Sequence, residues 1–314
     1  MKNIAILGAR GFIGKNTVQY LKNTKRYHVI PITRESINLT DNEKVHNFFK
    51  DNKIDIVIHC ANQGGTRKNI NESQDIIGNN LKMFFNIERC INKNMKFINF
   101  GSGAQYNKSR DLAKIKETEF ESRIPTDDYG YSKYVMSKYI RSQKDKTILN
   151  PIIFGLYGIG EDYTYKFISN AIIKNILNMP IIINQNVLFD YLFIEDYYKI
   201  LDSMIEDEWE NCEFNLTPSK SIELIEIVKI INSISKYHSE IIVRNKGMNF
   251  EYTGDNSRLI QHMGTDFEFT SYEIGIEKMY RYYLENIDKI NVMAVKEDKL
   301  INYCSIKKDI SSFV

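Results

Sequence analysis

The stretch "NIAILGARGFIGKN" at residues 3–16 decides the fold that we expect for this chain. A short apolar run leads into Gly8, Gly11 and Gly14, and a helix can start near Phe12. The N–H groups at a helix start point outward, and the helix dipole favours an anion there. Gly8 permits the tight turn, Gly11 lets a pyrophosphate approach the backbone, and Gly14 lets helix and strand pack closely. The stretch therefore predicts a dinucleotide-binding turn; the alternative is a glycine-rich turn without a ligand.

The first half of the chain alternates strand and helix patterns. Buried strands are predicted at residues 3–7, 28–33, 55–60, 96–100 and 146–154. Helices are predicted from Phe12 to Lys22, from a cap at Asp41 to Lys50, over about 75–93 and over 130–144. Continuous apolar strands separated by amphipathic helices indicate a parallel, doubly wound sheet.

We therefore expect an α/β chain with a Rossmann-like doubly wound parallel sheet and a smaller C-terminal substrate-binding lobe. Residues 1–156, with a segment near 187–206 that returns to the main sheet, are expected to bind NADP. Residues 157–186 and 207–286 are expected to form the substrate lobe, and 287–314 a polar tail.

Composition limits the function classes. The chain has 314 residues, of which 43% are hydrophobic and 26% charged, and its formal net charge is +2. No basic field favours nucleic acid, and no apolar run predicts a membrane span or a signal peptide. The four cysteines form no CxxC pair, so zinc is not expected. The expected location is the cytoplasm.

The end of the second strand bears on the choice of cofactor. An acidic residue about 20 residues after the glycine turn favours NAD, and a basic residue favours NADP. Here Arg34 stands at the strand end, Glu35 follows, and Arg10 projects from the turn. Two guanidinium groups make good partners for a 2′-phosphate, so we expect NADP(H). The alternative is that both arginines are solvated and Glu35 binds the ribose diol of NAD(H).

The segment "PTDDYGYSKYVMSK" supplies the catalytic candidates. Tyr129 and Lys133 share one helix face, and a lysine beside a phenol is expected to lower the tyrosine pKa. Ser102 follows the fourth strand, where its hydroxyl can hold a substrate oxygen. Spacing alone is weak, because two other pairs repeat it, Tyr134/Lys138 and Tyr303/Lys307.

These motifs together resemble the extended short-chain dehydrogenases/reductases, the NAD(P)-dependent nucleotide-sugar epimerases, dehydratases and reductases. The matching pieces stand in family order from residue 2 to about 286: "GARGFIG", "DIVIHCA", "NLKMFFNIERC", "FGSGAQY", "YGYSK", "FGLYG", "FDYLFIEDY" and "GDNSRLIQHMG…GIEKMYRYY". The strand-end arginine and the segment from Ile37 to Gly65 are most similar to GDP-fucose synthase-like reductases.

The resemblance implies specific roles. Ser102, Tyr129 and Lys133 would form the catalytic triad, and a nucleoside-diphosphate sugar would bind under the C-terminal lobe. The implied cofactor contacts are Gly8, Arg10, Gly11, Phe12, Ile13, Gly14, Arg34, Ala61, Asn80, Tyr129, Lys133 and Phe154. The implied substrate contacts are Gly64, Gly65, Ser102, Gly103, Lys166 and Lys246, with Arg67, Lys68, Lys174 and Arg244 as weaker candidates.

Departures from the family pattern narrow the reaction. Family dehydratases carry Asp and Glu after the serine turn, where this chain has Gly103 and Ala104. GDP-fucose synthases use a cysteine at the place of Ala104 and a histidine in the segment that here reads "YGIGEDYTYKF". We therefore predict a reductase of a nucleotide-linked 4-keto sugar, with hydride from NADPH, a proton from Tyr129 and the carbonyl held by Ser102.

Two alternatives stay open. A nucleotide-sugar 4-epimerase with tightly bound NAD uses the same triad. A non-catalytic NADP-binding protein is the other, since Phe189 replaces a common family arginine and Gly155 a common asparagine, both of which usually help to hold the sugar nucleotide.

The remaining predictions are structural. His59 is expected to be a packed or hydrogen-bonded core histidine, while Tyr163, Tyr165 and Phe167 either stack on a ligand or pack in the core. The family commonly dimerises through two helices of each subunit, and we expect a homodimer whose interface uses apolar residues on helices 75–93 and 130–144, namely Met83, Phe84, Val135, Met136 and Ile140.

Overall fold

The computed structural model describes residues 1–65, 75–143, 147–210, 212–302 and 304–307, and every statement below refers to these. The strands, numbered in chain order, are β1 (Asn3–Leu7), β2 (His28–Ile32), β3 (Ile56–His59), β4 (Lys96–Asn99), β5 (Gly101–Ser102), β6 (Leu112–Ile115), β7 (Thr147–Ile153), β8 (Leu156–Tyr157), β9 (Ile181–Asn186), β10 (Leu188–Phe189), β11 (Leu192–Phe193), β12 (Glu213–Leu216), β13 (Ile222–Glu223), β14 (Ile241–Met248) and β15 (Tyr252–Gly254).

Helices follow most of the strands of the first half. They are α1 (Phe12–Thr24), α2 (Asn42–Asp51), α3 (Ile76–Glu88), α4 (Asp128–Ser142), α5 (Phe167–Ile176), α6 (Ile194–Glu206), α7 (Leu224–Ile234), α8 (Ser257–Met263), α9 (Tyr272–Glu285), α10 (Val292–Lys296) and α11 (Lys299–Asn302). Short 3-10 turns occur at Gly103–Tyr106, Glu117–Glu119 and Ile287–Lys289.

The main sheet is parallel, which confirms the predicted fold class. Its order is β12-β7-β4-β3-β1-β2, and β5 pairs with β7 beyond the end of β4. The order reverses beside β1, since β2 lies on one side of it and β3 on the other. In open α/β sheets a ligand binds at the carboxyl ends of the strands where the order reverses.

Helices cover both faces of this sheet because its strands alternate between two apolar cores. Ile4 and Ile6 pack with residues of α1 and α6, including Leu21 and Tyr197. Ala5 and Leu7 of β1 pack against α2, α3 and α4. A strand buried on both faces reads as a continuous apolar run, which is how β1 was recognised.

The second half of the chain builds smaller sheets beside the carboxyl ends of the main one. β13, β10, β15 and β6 form one sheet, β9 pairs with β14, and β8 pairs with β11. Helices α5, α7 and α9 pack against one another in this part.

The segment 187–206 returns to the main sheet through a helix, not through a strand. Residues 187–206 add no strand to the main sheet: β10 joins the small sheet, β11 pairs with β8, and α6 packs on the main sheet through contacts such as Phe100–Tyr197. The strand that returns is β12, from the segment assigned to the substrate lobe. Its Glu213 is buried and accepts hydrogen bonds from Ser137, Arg141 and Asn150, which fixes β12 on the edge of β7.

The predicted interface residues also need correction. Met83, Phe84, Met136 and Ile140 are all at least nine-tenths buried in the core of their own chain, so they offer no outer face to a partner. Of the five residues named, only Val135 is partly exposed. The periodicity that suggested an interface therefore reports packing of α3 and α4 on the sheet.

Within the described part of the chain, no helix is long and apolar enough to cross a membrane. The four cysteines are all free thiols.

Candidate active site

A cavity of about 1360 Å³ follows the carboxyl edge of the main sheet. Its wall contains most of the predicted site residues: Gly8, Arg10, Gly11, Phe12, Ile13, Arg34, Ala61, Gly64, Gly65, Ser102, Tyr129, Lys133, Phe154 and Lys166. The glycine turn and the end of β2 line one end, Ser102 and Tyr129 lie on the wall with them, and residues of the second half complete it.

The glycine turn is built as the sequence predicts. Gly8 has a φ of 84°, and a Cβ there would lie 2.6 Å from the Ala61 nitrogen. A Cβ on Gly14 would lie 2.3 Å from the Gly8 carbonyl oxygen, so Gly14 lets α1 pack directly on the turn. A Cβ on Gly11 would meet nothing closer than 3.5 Å, which leaves open space over its backbone.

The start of α1 fits a dinucleotide pyrophosphate. Gly11 is its N-cap, and among the described residues no side chain caps this start and no acidic residue stands in its first turn. The first N–H groups of a helix need an acceptor, and an anion at this end is stabilised by the helix dipole. The turn therefore offers unpaired donors beside an open space.

The arginines of the cofactor end are arranged differently from the expectation. Arg10 forms an ion pair with Glu35, and Arg34 lies on the same cavity wall. The Glu35 pKa is lowered, chiefly by hydrogen bonding to its own backbone N–H and to Thr33, with a smaller effect of the arginines. The two arginines and the carboxylate thus share one exposed end of the cavity.

Helix α4 positions Tyr129 and Lys133. The Asp127 side chain caps it by accepting from the Gly130 nitrogen at 3.0 Å, which fixes Tyr129 in the first turn. One turn later, Lys133 is 4% exposed, and its Nζ donates to the Phe100 carbonyl oxygen at 2.7 Å, at the end of β4. The same Nζ lies 5.9 Å from the centre of the Tyr129 ring.

Ser102 completes the group at the end of β5. It is 8% exposed, and its Oγ accepts from the Ala104 nitrogen at 3.3 Å, which holds the hydroxyl at the start of the following 3-10 turn. Hydrogen bonding with Ser102 also lowers the Tyr129 pKa, so the two hydroxyl groups are neighbours. The structure therefore brings Ser102, Tyr129 and Lys133 together on one wall.

The predicted electrostatic effect of Lys133 on Tyr129 is wrong for this structure. Burial raises the Tyr129 pKa, Asp127 raises it further, and the opposing effect of Ser102 is smaller than that of burial. Burial lowers the pKa of Lys133 itself to about 8. The ammonium bonds to a backbone carbonyl and lies over the ring rather than at the phenol oxygen, which accounts for the difference.

Tyr252 is a site residue that the sequence reasoning missed. It stands at the start of β15 on the cavity wall, and Ser102 interacts with its hydroxyl as well as with that of Tyr129. Burial raises its pKa well above the usual range, so it remains a neutral donor. Its ring packs 5.0 Å from that of Phe154 and 4.8 Å from that of Phe189. Only its closeness to the "GDNSRL" motif could have pointed to it.

Two predicted contacts have other roles. Asn80 accepts from the Gln63 nitrogen at 2.7 Å and donates to the Gln63 carbonyl at 3.0 Å and to Ser132 at 3.1 Å. It therefore fixes the loop after β3 to α4 and does not line the cavity. A Cβ on Gly103 would lie 2.7 Å from the Tyr252 hydroxyl, so this glycine makes room for Tyr252.

Of the predicted cationic residues in the second half of the chain, some line the cavity and others do not. Lys166 lines the cavity, whereas Lys246 and Arg244 are exposed on β14 and do not. Lys174 is buried and forms an ion pair with Asp298 at 2.7 Å. Arg67 and Lys68 lie outside the described residues. Of the aromatic candidates, Tyr165 and Phe167 line the cavity, while the Tyr163 hydroxyl accepts from the Asn291 nitrogen.

Two further titratable groups lie on the cavity wall. His59 is buried as predicted, and burial with the nearby Lys133 lowers its pKa to about 3, so it is neutral at physiological pH. Glu161 was not predicted: burial raises its pKa to about 7, and it accepts from the Ser169 nitrogen at 3.2 Å and from the Ser169 hydroxyl. These bonds attach the Glu161 carboxylate to the first turn of α5.

The model of the NAD dependent epimerase/dehydratase family matches residues 4–216, about two thirds of the chain. A GDP-6-deoxy-D-talose 4-dehydrogenase from Aggregatibacter actinomycetemcomitans is 24% identical over 300 residues, which cover 88% of this chain and 97% of that protein. The GDP-L-fucose synthase of Escherichia coli is 30% identical over 123 residues, 38% of this chain and 37% of that protein.

A solved structure shares the fold over nearly its whole length. The GDP-mannoheptose C4 reductase of Campylobacter jejuni, solved with NADP bound, superposes with a TM-score of 0.76 at 18% identity, over 90% of this chain and 98% of that one.

Proposed function

This chain belongs to the NAD-dependent epimerase/dehydratase family, and from that premise we propose that it is an NADPH-dependent reductase of a nucleotide-linked 4-keto sugar. The observation that carries the proposal is the grouping of Ser102, Tyr129 and Lys133 on the wall of the cavity that begins at the glycine turn. Bound NADPH would supply hydride to the carbonyl carbon of the sugar.

Residues of the chain would bind and protonate the oxygen of that carbonyl. Ser102 would donate a hydrogen bond to it and hold it beside the Tyr129 hydroxyl. Tyr129, whose raised pKa keeps it protonated, would give its proton to the developing alkoxide. Lys133 bonds to the Phe100 carbonyl in this structure, with its Nζ 5.9 Å from the centre of the Tyr129 ring, so it would have to turn toward the phenol oxygen to stabilise the tyrosinate that remains.

The residues after Ser102 favour plain reduction. Gly103 and Ala104 carry neither the acidic pair of a dehydratase nor the cysteine of a GDP-fucose synthase. The Tyr252 and Phe154 side chains occupy the space beside Gly103, and Ala104 is buried. A relative named as a 4-dehydrogenase and a neighbour named as a C4 reductase support the same choice of sugar carbon.

One assay tests this function. The purified protein is incubated with NADPH or NADH and a panel of nucleotide-linked 4-keto sugars, and cofactor oxidation and product stereochemistry are followed by absorbance and NMR. We expect stoichiometric oxidation of NADPH and a 4-hydroxy product. No oxidation with any member of the panel would overturn the proposal and favour a non-catalytic binding protein.

NADP(H) is the proposed cofactor, with NAD(H) as the alternative, and Glu35 provides the test. Its carboxylate holds Arg10, so a 2′-phosphate would have to compete with it for that guanidinium. Glu35→Gln should lower the KM for NADPH several-fold and raise that for NADH, because Arg10 is released. Arg34→Ala should act in the opposite sense. Unchanged KM values in both variants would contradict this assignment.

The same ion pair favours a second candidate, a nucleotide-sugar 4-epimerase with tightly bound NAD. An acidic residue after β2 is the usual partner of the NAD ribose diol, and Glu35 stands there. Release of NAD on denaturation of the purified protein, with conversion of a nucleotide sugar to its C4 epimer and no net cofactor use, would establish the epimerase.

We further propose that the substrate diphosphate binds Lys166 and that the sugar approaches the backbone at Gly64 and Gly65.

We also propose that the protein is a homodimer. The dimer would use the outer faces of α3 and α4, where Phe85 and Tyr139 are half-buried and their rings pack 5.1 Å apart. Sedimentation at the monomer mass would contradict the dimer.

A further inference from the structure

The C-terminal segment formed by residues 299–302 and 304–307 returns to the cavity. Leu300 and Ile301 of α11 are 2% and 6% exposed, and both line the cavity together with Cys304 and Ser305. This segment lies outside the family model, which ends at residue 216. The expected polar tail therefore supplies part of the wall of the candidate active site.

Side-chain amides fix this segment to the second half of the chain. Asn184 of β9 donates to the Cys304 carbonyl at 3.0 Å, and Asn249 donates to the Ser305 carbonyl at 2.7 Å. Gln185 donates to the Lys307 carbonyl at 3.2 Å and accepts from the Lys307 nitrogen at 2.8 Å. These bonds pair the backbone groups of an irregular segment, so it is held at a defined distance from β9.

Charged anchors lie at both ends of the segment. Before it, the buried Lys174 forms its ion pair with Asp298. At its end, the Lys307 Nζ lies 2.9 Å from an Asp111 oxygen and 4.8 Å from the centre of the Phe250 ring. Lys307 thereby connects the tail to the loops before β6 and β15, and β15 carries Tyr252.

The position of the segment limits which part of a substrate it can meet. The cofactor end of the cavity is formed by the glycine turn, and the reacting carbonyl must lie at Ser102 and Tyr129. The rest of a nucleotide-linked sugar must then extend into the half of the cavity built by the second half of the chain. In that half Lys166 offers a cation for the diphosphate, whereas the tail offers Leu300, Ile301 and Cys304.

Apolar side chains from β9 and α7 continue this surface. Ile182, Ile183 and Leu224 line the cavity together with the residues of α11, and α11 packs on β9. The amides of Asn184 and Gln185 lie on the same wall, so the surface is uncharged and mainly apolar. It does not suit a diphosphate, which would lose hydration without gaining a cation. It suits the flat face of a nucleobase.

We propose that Leu300, Ile301, Cys304 and Ser305 form one side of the nucleobase pocket of this enzyme and that Lys307 holds them in place. This inference rests on the proposed function, because it assigns the nucleoside end of the substrate of that reaction.

Binding of nucleoside diphosphates tests the proposal without turnover. GDP, UDP and dTDP are titrated by calorimetry into wild type, Cys304→Trp and Lys307→Ala, and NADPH is titrated into each. We expect Cys304→Trp to weaken the preferred nucleotide at least about tenfold, because the indole fills the pocket, and Lys307→Ala to weaken it several-fold. NADPH affinity should stay unchanged in both, which also reports that they are folded.

Lys278→Ala is the matched control. Lys278 likewise pairs with a carboxylate, that of Glu195, and lies over a phenyl ring, that of Phe193. It does not line the cavity, so its removal should leave nucleotide affinity unchanged.

The outcomes separate this inference from the proposed function. The nucleobase pocket would be overturned if both tail variants kept the nucleotide affinity of wild type. It would also be overturned if the only change were in the KM of the nucleotide-linked sugar substrate. Wild type that binds a nucleotide but oxidises no NADPH overturns the reductase alone. Wild type that binds none of the three nucleotides overturns both.

Discussion

The pKa values of Lys133 and Tyr129 shift in opposite directions in the site. Burial acts on both side chains but in opposite directions, because it disfavours whichever form is charged. The phenol is kept protonated through the neutral range, while the ammonium has a pKa of about 8. Of these two side chains, Lys133 is therefore the one whose charge changes near physiological pH.

This difference predicts the pH dependence of reduction. If the charge on Lys133 stabilises the tyrosinate, kcat/KM should be constant below pH 8 and fall above it, about tenfold per pH unit, as the ammonium loses its proton. The measurement is kcat/KM from pH 6 to 10. The residual activity of Lys133→Met should lack this alkaline limb. A limb that persists in Lys133→Met would assign the titration to another group.

The role of the Tyr129 hydroxyl is tested by its removal. Tyr129→Phe keeps the ring but removes the proton donor, so turnover should fall about 10²- to 10⁴-fold while NADPH affinity is retained. Tyr134→Phe is a matched control on the same helix, since Tyr134 and Lys138 repeat the spacing but Tyr134 bonds to Glu121. Equal losses in both variants would show that the effect is structural.

At the scale of elements, two glycines of the turn between β1 and α1 have different roles, since Gly14 is needed for packing and Gly11 for cofactor binding. Gly14→Ala places a methyl group 2.3 Å from the Gly8 carbonyl oxygen and should cost about 1–3 kcal/mol of unfolding free energy. Gly11→Ala adds a methyl group in open space and should cost less than about 1 kcal/mol, yet it should weaken NADPH binding strongly. Denaturant unfolding and a cofactor titration of both variants measure this. The reverse order of stabilities would contradict these assignments.

The elements with strong local signals could be predicted from the sequence. The strand β1 is a continuous apolar run, and Asp41 caps α2 by accepting from the Lys44 nitrogen, as expected from its side chain. The stretch "YTYKFISNAIIKNIL" from Tyr163 has a helical pattern, but α5 begins only at Phe167, because Asp162 first organises a turn through the Thr164 nitrogen and hydroxyl. That competition between an Asx turn and a helix start is not visible in apolar periodicity.

The strand pairing of the small sheet could not be predicted, for a different reason. Its strand β10 has only two residues and pairs with β13 and β15, the latter more than sixty residues away along the chain. Such short strands carry no periodic pattern, and their partners are fixed by tertiary contacts. Tyr252 was missed because it reaches the site from this sheet. Ser102 comes directly after the buried run of β4, and Tyr129 and Lys133 belong to the "YGYSK" motif on α4.

At the scale of the molecule, Asp190 joins the main sheet to the smaller one. Its carboxylate is fully buried and accepts from Thr217, after β12, from Ser221, before β13, and from the Gly254 nitrogen of β15 at 2.9 Å. Lys114 approaches it at 3.4 Å.

Replacing this carboxylate tests the connection. Asp190→Asn turns an acceptor into a donor that faces other donors, so it should lower the unfolding free energy by about 2–3 kcal/mol. Lys114→Ala removes only a half-exposed lysine that lies 3.4 Å from the carboxylate, and it should cost less than about 1 kcal/mol because the three hydrogen bonds to Asp190 remain. Urea unfolding of both variants gives the comparison. Equal midpoints for wild type and Asp190→Asn would rule out this role.

The late arrival of β12 has a consequence for how the chain is made. On the ribosome, β1 to β7 emerge first, and the outer edge of β7 stays without its neighbour until some sixty more residues have followed. During that interval Arg141, Ser137 and Asn150 lack the carboxylate of Glu213, and an open row of backbone donors and acceptors invites pairing with another nascent chain. A chain released at residue 156 would keep that edge permanently, so translation must pass Leu216 before the nascent sheet is safe from aggregation.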